Sequence, residues 1–249
     1  MSKTISMRIF ILLMVVYAVL AGASIYLPQG SEVSPIQAAQ MPAPLYIMAL
    51  ASAGLVFIVY GGLGMLGRLF SRKLGFPDIW DLAVTNRQRF LIPALAGIVV
   101  GAVIIVGDLI FAPINDMGHF PHPPFPTSIV ASLAAGIGEE TLFRLFFISF
   151  WSWLISKVIP GERALGAIYW VVSSFSAVAF GMSHLPAIMY LQHWTTVGQV
   201  PHLLLLEIIL LNGILSLVAA FYFRKFGFLA AASVHFWADM VWHVLWGLV

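Results

Sequence analysis

The chain has 249 residues, 61% hydrophobic and 9% charged, with a formal net charge of +2 and a mean hydropathy of +0.99. Soluble domains carry about 25% charged residues, so a solvated globular enzyme is excluded, as are disordered and collagen-like chains, which need polar tracts or a glycine period. With no cysteine, disulfides, zinc–cysteine sites and thiol catalysis are excluded as well.

This composition leaves a polytopic membrane protein. A helical span takes about 20 apolar residues, so the length holds roughly seven or eight. Membrane barrels show short alternating segments, whereas the runs here are long and continuous. The fold class is therefore all-α, a bundle of about seven transmembrane helices with room for an eighth. In chain order the predicted spans are 9–26, 43–66, 91–112, 127–151, 168–187, 202–222 and 228–248. The predicted connections are 27–42, 67–90, 113–126, 152–167, 188–201 and 223–227. The first run follows Lys3 and Arg8, and Ala21-Gly22-Ala23 would also fit a signal-peptide cleavage site. Its length and the spans behind it favour retention as a first span. One integral membrane domain is expected, with an N-terminal three-span region at 1–126 and a motif-bearing core at 127–249. No internal repeat is visible.

The basic residues assign a side. Lys3 and Arg8 precede the first span; Arg68, Arg72, Lys73, Arg87 and Arg89 separate the second and third. Lys157 and Arg163 lie between the fourth and fifth, and Arg224 and Lys225 between the sixth and seventh. The opposite connections carry only the acids Glu32 and Asp116. Cytoplasmic loops are enriched in Lys and Arg, so the N-terminus is expected in the cytoplasm and the C-terminus outside; in a prokaryotic host the membrane is the plasma membrane. The basic residues thus follow a membrane pattern and imply no nucleic-acid partner.

The remaining basic residue, Arg144, lies inside a span. An ionisable side chain at the bilayer centre costs about 2.5–3.5 kcal/mol on insertion scales. Glu140 and Arg144 are four apart, acid before base, and can pair on one helical face. Glu139 points about 100° away and has no partner from its own segment, which makes it the candidate for chemistry. The fifth span carries Phe180-Gly181-Met182-Ser183-His184, and the seventh carries His235, Asp239 and His243 on one stripe. Asp108 and Glu207 are single acids whose bland reading is a neutral carboxyl bonded to a neighbouring helix. With aromatic and basic residues marking the interface, Glu139, His184, His235 and Asp239 lie roughly 18, 21, 15 and 21 Å deep. They can share one layer.

The order E-E-x-x-x-R, F-x-x-x-H and H-x-x-x-N, or a related last residue, on separate spans resembles the CPBP intramembrane proteases. These join type II CAAX prenyl endopeptidases to bacteriocin-processing and immunity proteins. The matching residues are Glu139-Glu140 with Arg144, Phe180 with His184, and His235 with Asp239. The resemblance implies an intramembrane endopeptidase in which Glu139 activates water, His184 holds that water or moves a proton, and His235 and Asp239 face the scissile carbonyl. Glu140, Arg144 and Phe180 would be support. It implies membrane lipid and a membrane-associated peptide or protein substrate as partners, the substrate lipidated where the CAAX chemistry applies, and either no cofactor or zinc, for which Glu139, His184 and His235 would be the ligands by type. Asp239 departs from the usual Asn and must be protonated, or orient His235, to serve an oxyanion site. His243 is extra and carries no assigned role. Two other classes compete: a proton- or ion-coupled transporter with a Glu/His relay, and a non-catalytic immunity or partner protein.

Overall fold

The computed structural model describes residues 2–28, 43–159 and 161–249. The connection at 29–42, with Glu32, lies outside the described residues. Among those described there is no strand, and seven helices are long and apolar enough to cross a membrane: Lys3–Ser24, Leu45–Lys73, Arg87–Phe111, Thr127–Val158, Arg163–Leu191, His202–Phe226 and Phe228–Leu248. This is an all-α integral membrane protein.

The helices overrun the apolar runs at their basic ends. The second continues through Arg72 and Lys73, and the third begins at Arg87. Long basic side chains lay their stems along apolar surface and hold the charge at the interface, so charge does not end a helix there. The connection expected at 152–167 is corrected in the same way. The helix runs on to Val158, and the next begins at Glu162 after Gly161, whose φ of 120° suits glycine alone.

The basic ends meet on one face of the bundle. Arg68 donates to the Lys3 carbonyl (3.1 Å) and pairs with Asp78 (2.6 Å). Burial opposes ionisation of Asp78, but hydrogen bonds from Arg68 and the Ile79 amide, with the charges of Arg68 and Arg72, outweigh it and hold the carboxyl below its usual range. Lys73 and Lys157 flank Trp153 at 4.8 and 5.7 Å, and Arg224 stacks on Tyr169 at 4.9 Å.

Close packing elsewhere uses small residues, as expected where lipid removes the hydrophobic drive between helices. A Cβ at Gly67 would strike the Leu145 carbonyl, and one at Gly97 the Val234 carbonyl. The third and seventh spans therefore touch backbone to backbone immediately beside His235.

Candidate active site

Two of the motif segments end in a change of helix. The fourth span is α-helical over Thr127–Glu140 and widens to i→i+5 hydrogen bonding over Thr141–Ile148. The seventh is α-helical over Phe228–Asp239 and widens over Met240–Leu245. Such π turns recur at functional sites; here they begin directly after Glu140 and Asp239. The fifth span breaks instead: its helix stops at Met182 and resumes at Leu185. Pro186 has no N–H to give the Met182 carbonyl, so His184 sits in the break, its amide turned to Gly181 O (3.1 Å).

These segments converge on His235, which is 2% exposed. Its Nδ1 lies 2.7 Å from Glu140 Oε1. Its Nε2 faces two further carboxylates, Glu139 Oε2 at 3.6 Å and Asp239 Oδ2 at 3.5 Å. Glu140 also meets Arg144, with Nε 3.2 Å from Oε2, and the guanidinium lies over the Phe180 ring at 4.7 Å. Phe180 stands edge-on to His184 (5.0 Å) and to His235 (5.7 Å). The adjacent acids differ sharply. Glu140 is fully buried, whereas the side chain of Glu139 is 35% exposed. The ring is thus held by Glu140, a link that the sequence does not reveal.

His184 hydrogen-bonds the Phe180 carbonyl through Nδ1 (2.9 Å). A carbonyl only accepts, so Nδ1 is the donor in this bond, and in the tautomer with its proton there Nε2 is an acceptor. Glu139, His184, His235, Asp239 and His243 all line a cavity of about 490 Å³. Its walls are otherwise mostly alanine, leucine, isoleucine and aromatic side chains.

Two tyrosines in the lining come from spans that carry no motif. Tyr17 of the first span and Tyr60 of the second stand edge-on at 5.1 Å and both line the cavity. The Tyr17 ring lies on Gly138, where any Cβ would collide with it. A single tyrosine in an apolar run carries no periodic signal, so nothing in the sequence marks either one. His243 is placed too: its Nδ1 lies 3.2 Å from His122 Nδ1, on the 113–126 connection. Burial, the largest influence on His122, keeps that ring's pKa below the ordinary histidine value.

The two isolated acids need correcting. Their partners lie on the 113–126 connection rather than on a neighbouring helix. Asp108 meets His119 Nδ1 at 2.5 Å and accepts from the Phe120 amide (3.2 Å), while Glu207 accepts from Asn115 (2.6 Å). A buried acceptor needs a donor, and this connection, folded back into the bundle, supplies it.

Zinc would need three donors turned to a common point. Among the described residues no three His, Asp or Glu side chains are so arranged, so the side chains as placed do not fit the ion.

Seven spans around a cavity that holds carboxylates and imidazoles define an integral membrane protein with a polar site inside its helix bundle. A family model described as type II CAAX prenyl endopeptidase Rce1-like matches residues 121–246, and the chain belongs to that family. Membership places it among CAAX-type intramembrane proteases in general, with a peptide or protein in the membrane as substrate. No curated protein and no solved structure matches the chain.

Proposed function

We propose that the protein hydrolyses a peptide bond of a membrane-associated peptide or protein, with Glu139 as general base. The observation that carries this reading is the approach of Glu139 to His235 Nε2, 3.6 Å apart, in an otherwise largely apolar cavity. Glu139 takes a proton from water as the water oxygen bonds to the scissile carbonyl carbon. The C–N bond then breaks, and the proton passes to the leaving nitrogen. His184, with Nδ1 committed to Phe180, offers Nε2 to the attacking water. His235 and Asp239 face the carbonyl oxygen, where polar groups in a water-poor site are worth most. Glu140 fixes the His235 ring, and Arg144 balances Glu140.

C-terminal processing of a lipidated CAAX-type peptide is the substrate chemistry that the family name carries. The eleven basic residues on one face support a cytoplasmic N-terminus, at the plasma membrane in a prokaryotic host. Digestion of a peptide library by purified protein, compared with Glu139→Gln, tests the reading. Cleavage products present with the wild type and absent with the variant are expected; products unchanged by Glu139→Gln would overturn it.

A further inference from the structure

Asp108 and Glu207 lie inside spans, both fully buried, and general-base hydrolysis by Glu139 uses neither. An ionisable side chain within the bilayer is costly and marks a functional part. Their partners show what they hold. Asp108 of the third span accepts from the Phe120 amide through Oδ1 (3.2 Å) and meets His119 through Oδ2 (2.5 Å). Glu207 of the sixth accepts from the Asn115 side chain (2.6 Å), and His243 of the seventh meets His122 (3.2 Å). Three spans thus each send one side chain to the same short connection at 113–126.

The connection is also braced from within. Asn115, fully buried, donates to the Gly118 carbonyl (3.0 Å) and accepts from the Met117 and Gly118 amides through Oδ1 (2.9 and 2.8 Å). The segment so fixed carries Phe120, Pro121 and Pro123 into the lining of the cavity that holds Glu139 and His235. Phe120 packs against both the main core and a smaller cluster formed by Leu185, Ile188, Leu204 and Ile208. The rest of the wall is helical and takes its shape from its own backbone hydrogen bonds. A connection has no such ladder, so side chains must satisfy and place its backbone. Asp108 and Asn115 do this without being lining residues themselves.

We propose that the 113–126 connection is the specificity wall of the active site: Phe120 packs against a substrate side chain beside the bond to be cut, and Asp108 and Asn115 are the positioning residues that hold it there. This rests on the endopeptidase reading. Because the Phe120 amide itself is bonded to Asp108, a buried acid outside the cavity sets where the ring stands within it. The space left beside that ring limits the size of the substrate side chain.

Two measurements on the purified full chain test this. The first is amide hydrogen exchange, which needs no activity. Asp108→Leu removes the acceptor of the Phe120 amide, so exchange over 115–120 should quicken about tenfold or more, the scale of a lost hydrogen bond to a charged group. Asp108→Asn keeps an acceptor for that amide and a donor for the neutral His119 ring, so its exchange should stay near the wild-type rate. Unchanged exchange in Asp108→Leu would overturn the anchoring. The second measurement is the residue preference around the cut bond in a peptide-library digestion. Phe120→Ala should shift the preference at one position towards larger side chains, Asp108→Leu should move that same position, and Asp108→Asn should give the wild-type profile. A merely structural role would lower the rate for every peptide alike; that result in Asp108→Leu, or an unshifted profile in Phe120→Ala, would overturn the proposal. Asn115→Ala, which alters no span, replaces Asp108→Leu should the latter not fold. It should quicken exchange and shift the same position, and wild-type behaviour on both counts would overturn the proposal. A library left uncut by the wild type would instead overturn the endopeptidase reading, and the specificity role with it, whatever the exchange rates.

Discussion

His235 and Glu140 meet at 2.7 Å across two spans, 95 residues apart in sequence, and neither side chain is more than 3% exposed. Glu140 has one carboxylate oxygen on His235 and the other on Arg144, so a single acid ties the orientation of the imidazole to the neutralisation of the cation. Glu139, one residue earlier, faces the cavity and shares no such duty. Helix geometry alone separates the two roles.

Glu140→Gln should therefore be the destabilised variant of the pair. It leaves Arg144 charged and fully buried against the Phe180 ring, and breaking one half of a buried pair costs about 3–5 kcal/mol. Neutralising Glu140 and Arg144 together should restore part of the melting temperature, since no lone charge remains, but not turnover, because His235 still lacks its anchor. Glu139→Gln should melt like the wild type and lose at least about 10²-fold in rate, the lower end for a missing general base. Thermal melts and rates on the same preparations check this; a stable, inactive Glu140→Gln beside an unstable, active Glu139→Gln would reverse the assignment.

Asp239 stands where a neutral amide is usual in the resembled motif. Asp239→Asn supplies an N–H donor towards the scissile carbonyl without needing a proton on the carboxyl, so turnover should survive. Asp239→Leu removes both possibilities and should cost about 10²–10³-fold, as loss of an oxyanion donor does. Equal rates for Asp239→Leu and wild type would remove Asp239 from the site.

The seven spans were legible because long apolar runs have one common explanation, and Glu139 stood out because nothing in its own helix could pair with it. The depths read from aromatic and basic markers put the motif residues in one layer, and the structure brings Glu139 and Asp239 each within 3.6 Å of His235. Other parts had no local signal. The i→i+5 turns after Glu140 and Asp239 depend on packing, not on apolar period. The partners of Glu207 and His243 lie 92 and 121 residues away, so both acid and imidazole looked isolated. Tyr17 and Tyr60 reach the cavity from spans that carry no motif.

Backbone contact between spans predicts a contrast among glycines. Gly67→Ala and Gly97→Ala place a methyl against the Leu145 and Val234 carbonyls, which cannot rotate aside as a side chain can. Each should cost about 1–3 kcal/mol, the usual range for overpacking. Gly97→Ala should also slow turnover, because Val234 adjoins His235. Gly54 and Gly61 have open space where a Cβ would stand, so alanine there should be neutral or slightly stabilising. Melting temperatures of the four variants decide it; a uniform response would mean the spans are less tightly joined than described.

Asp78 lies between the second and third spans and pairs with Arg68, which also bonds the Lys3 carbonyl at the start of the first. Its carboxylate is held below its usual pKa because Arg68 and the Ile79 amide outweigh the effect of burial. A depressed carboxyl binds fewer protons in the folded than in the unfolded chain, so its contribution is full above the unfolded value of about 3.9. That contribution is lost as pH falls through the folded value. Asp78→Asn should therefore melt below the wild type at neutral pH, by the equivalent of about 1.5–3 kcal/mol for hydrogen bonds to a charged group. The gap should narrow from about pH 5 downward, as the wild-type carboxyl begins to protonate. Melting curves of both proteins in detergent from neutral pH to the acid limit of solubility measure it. A gap that stays constant across that range, or widens in acid, would show that the Arg68–Asp78 pair does not hold this face together.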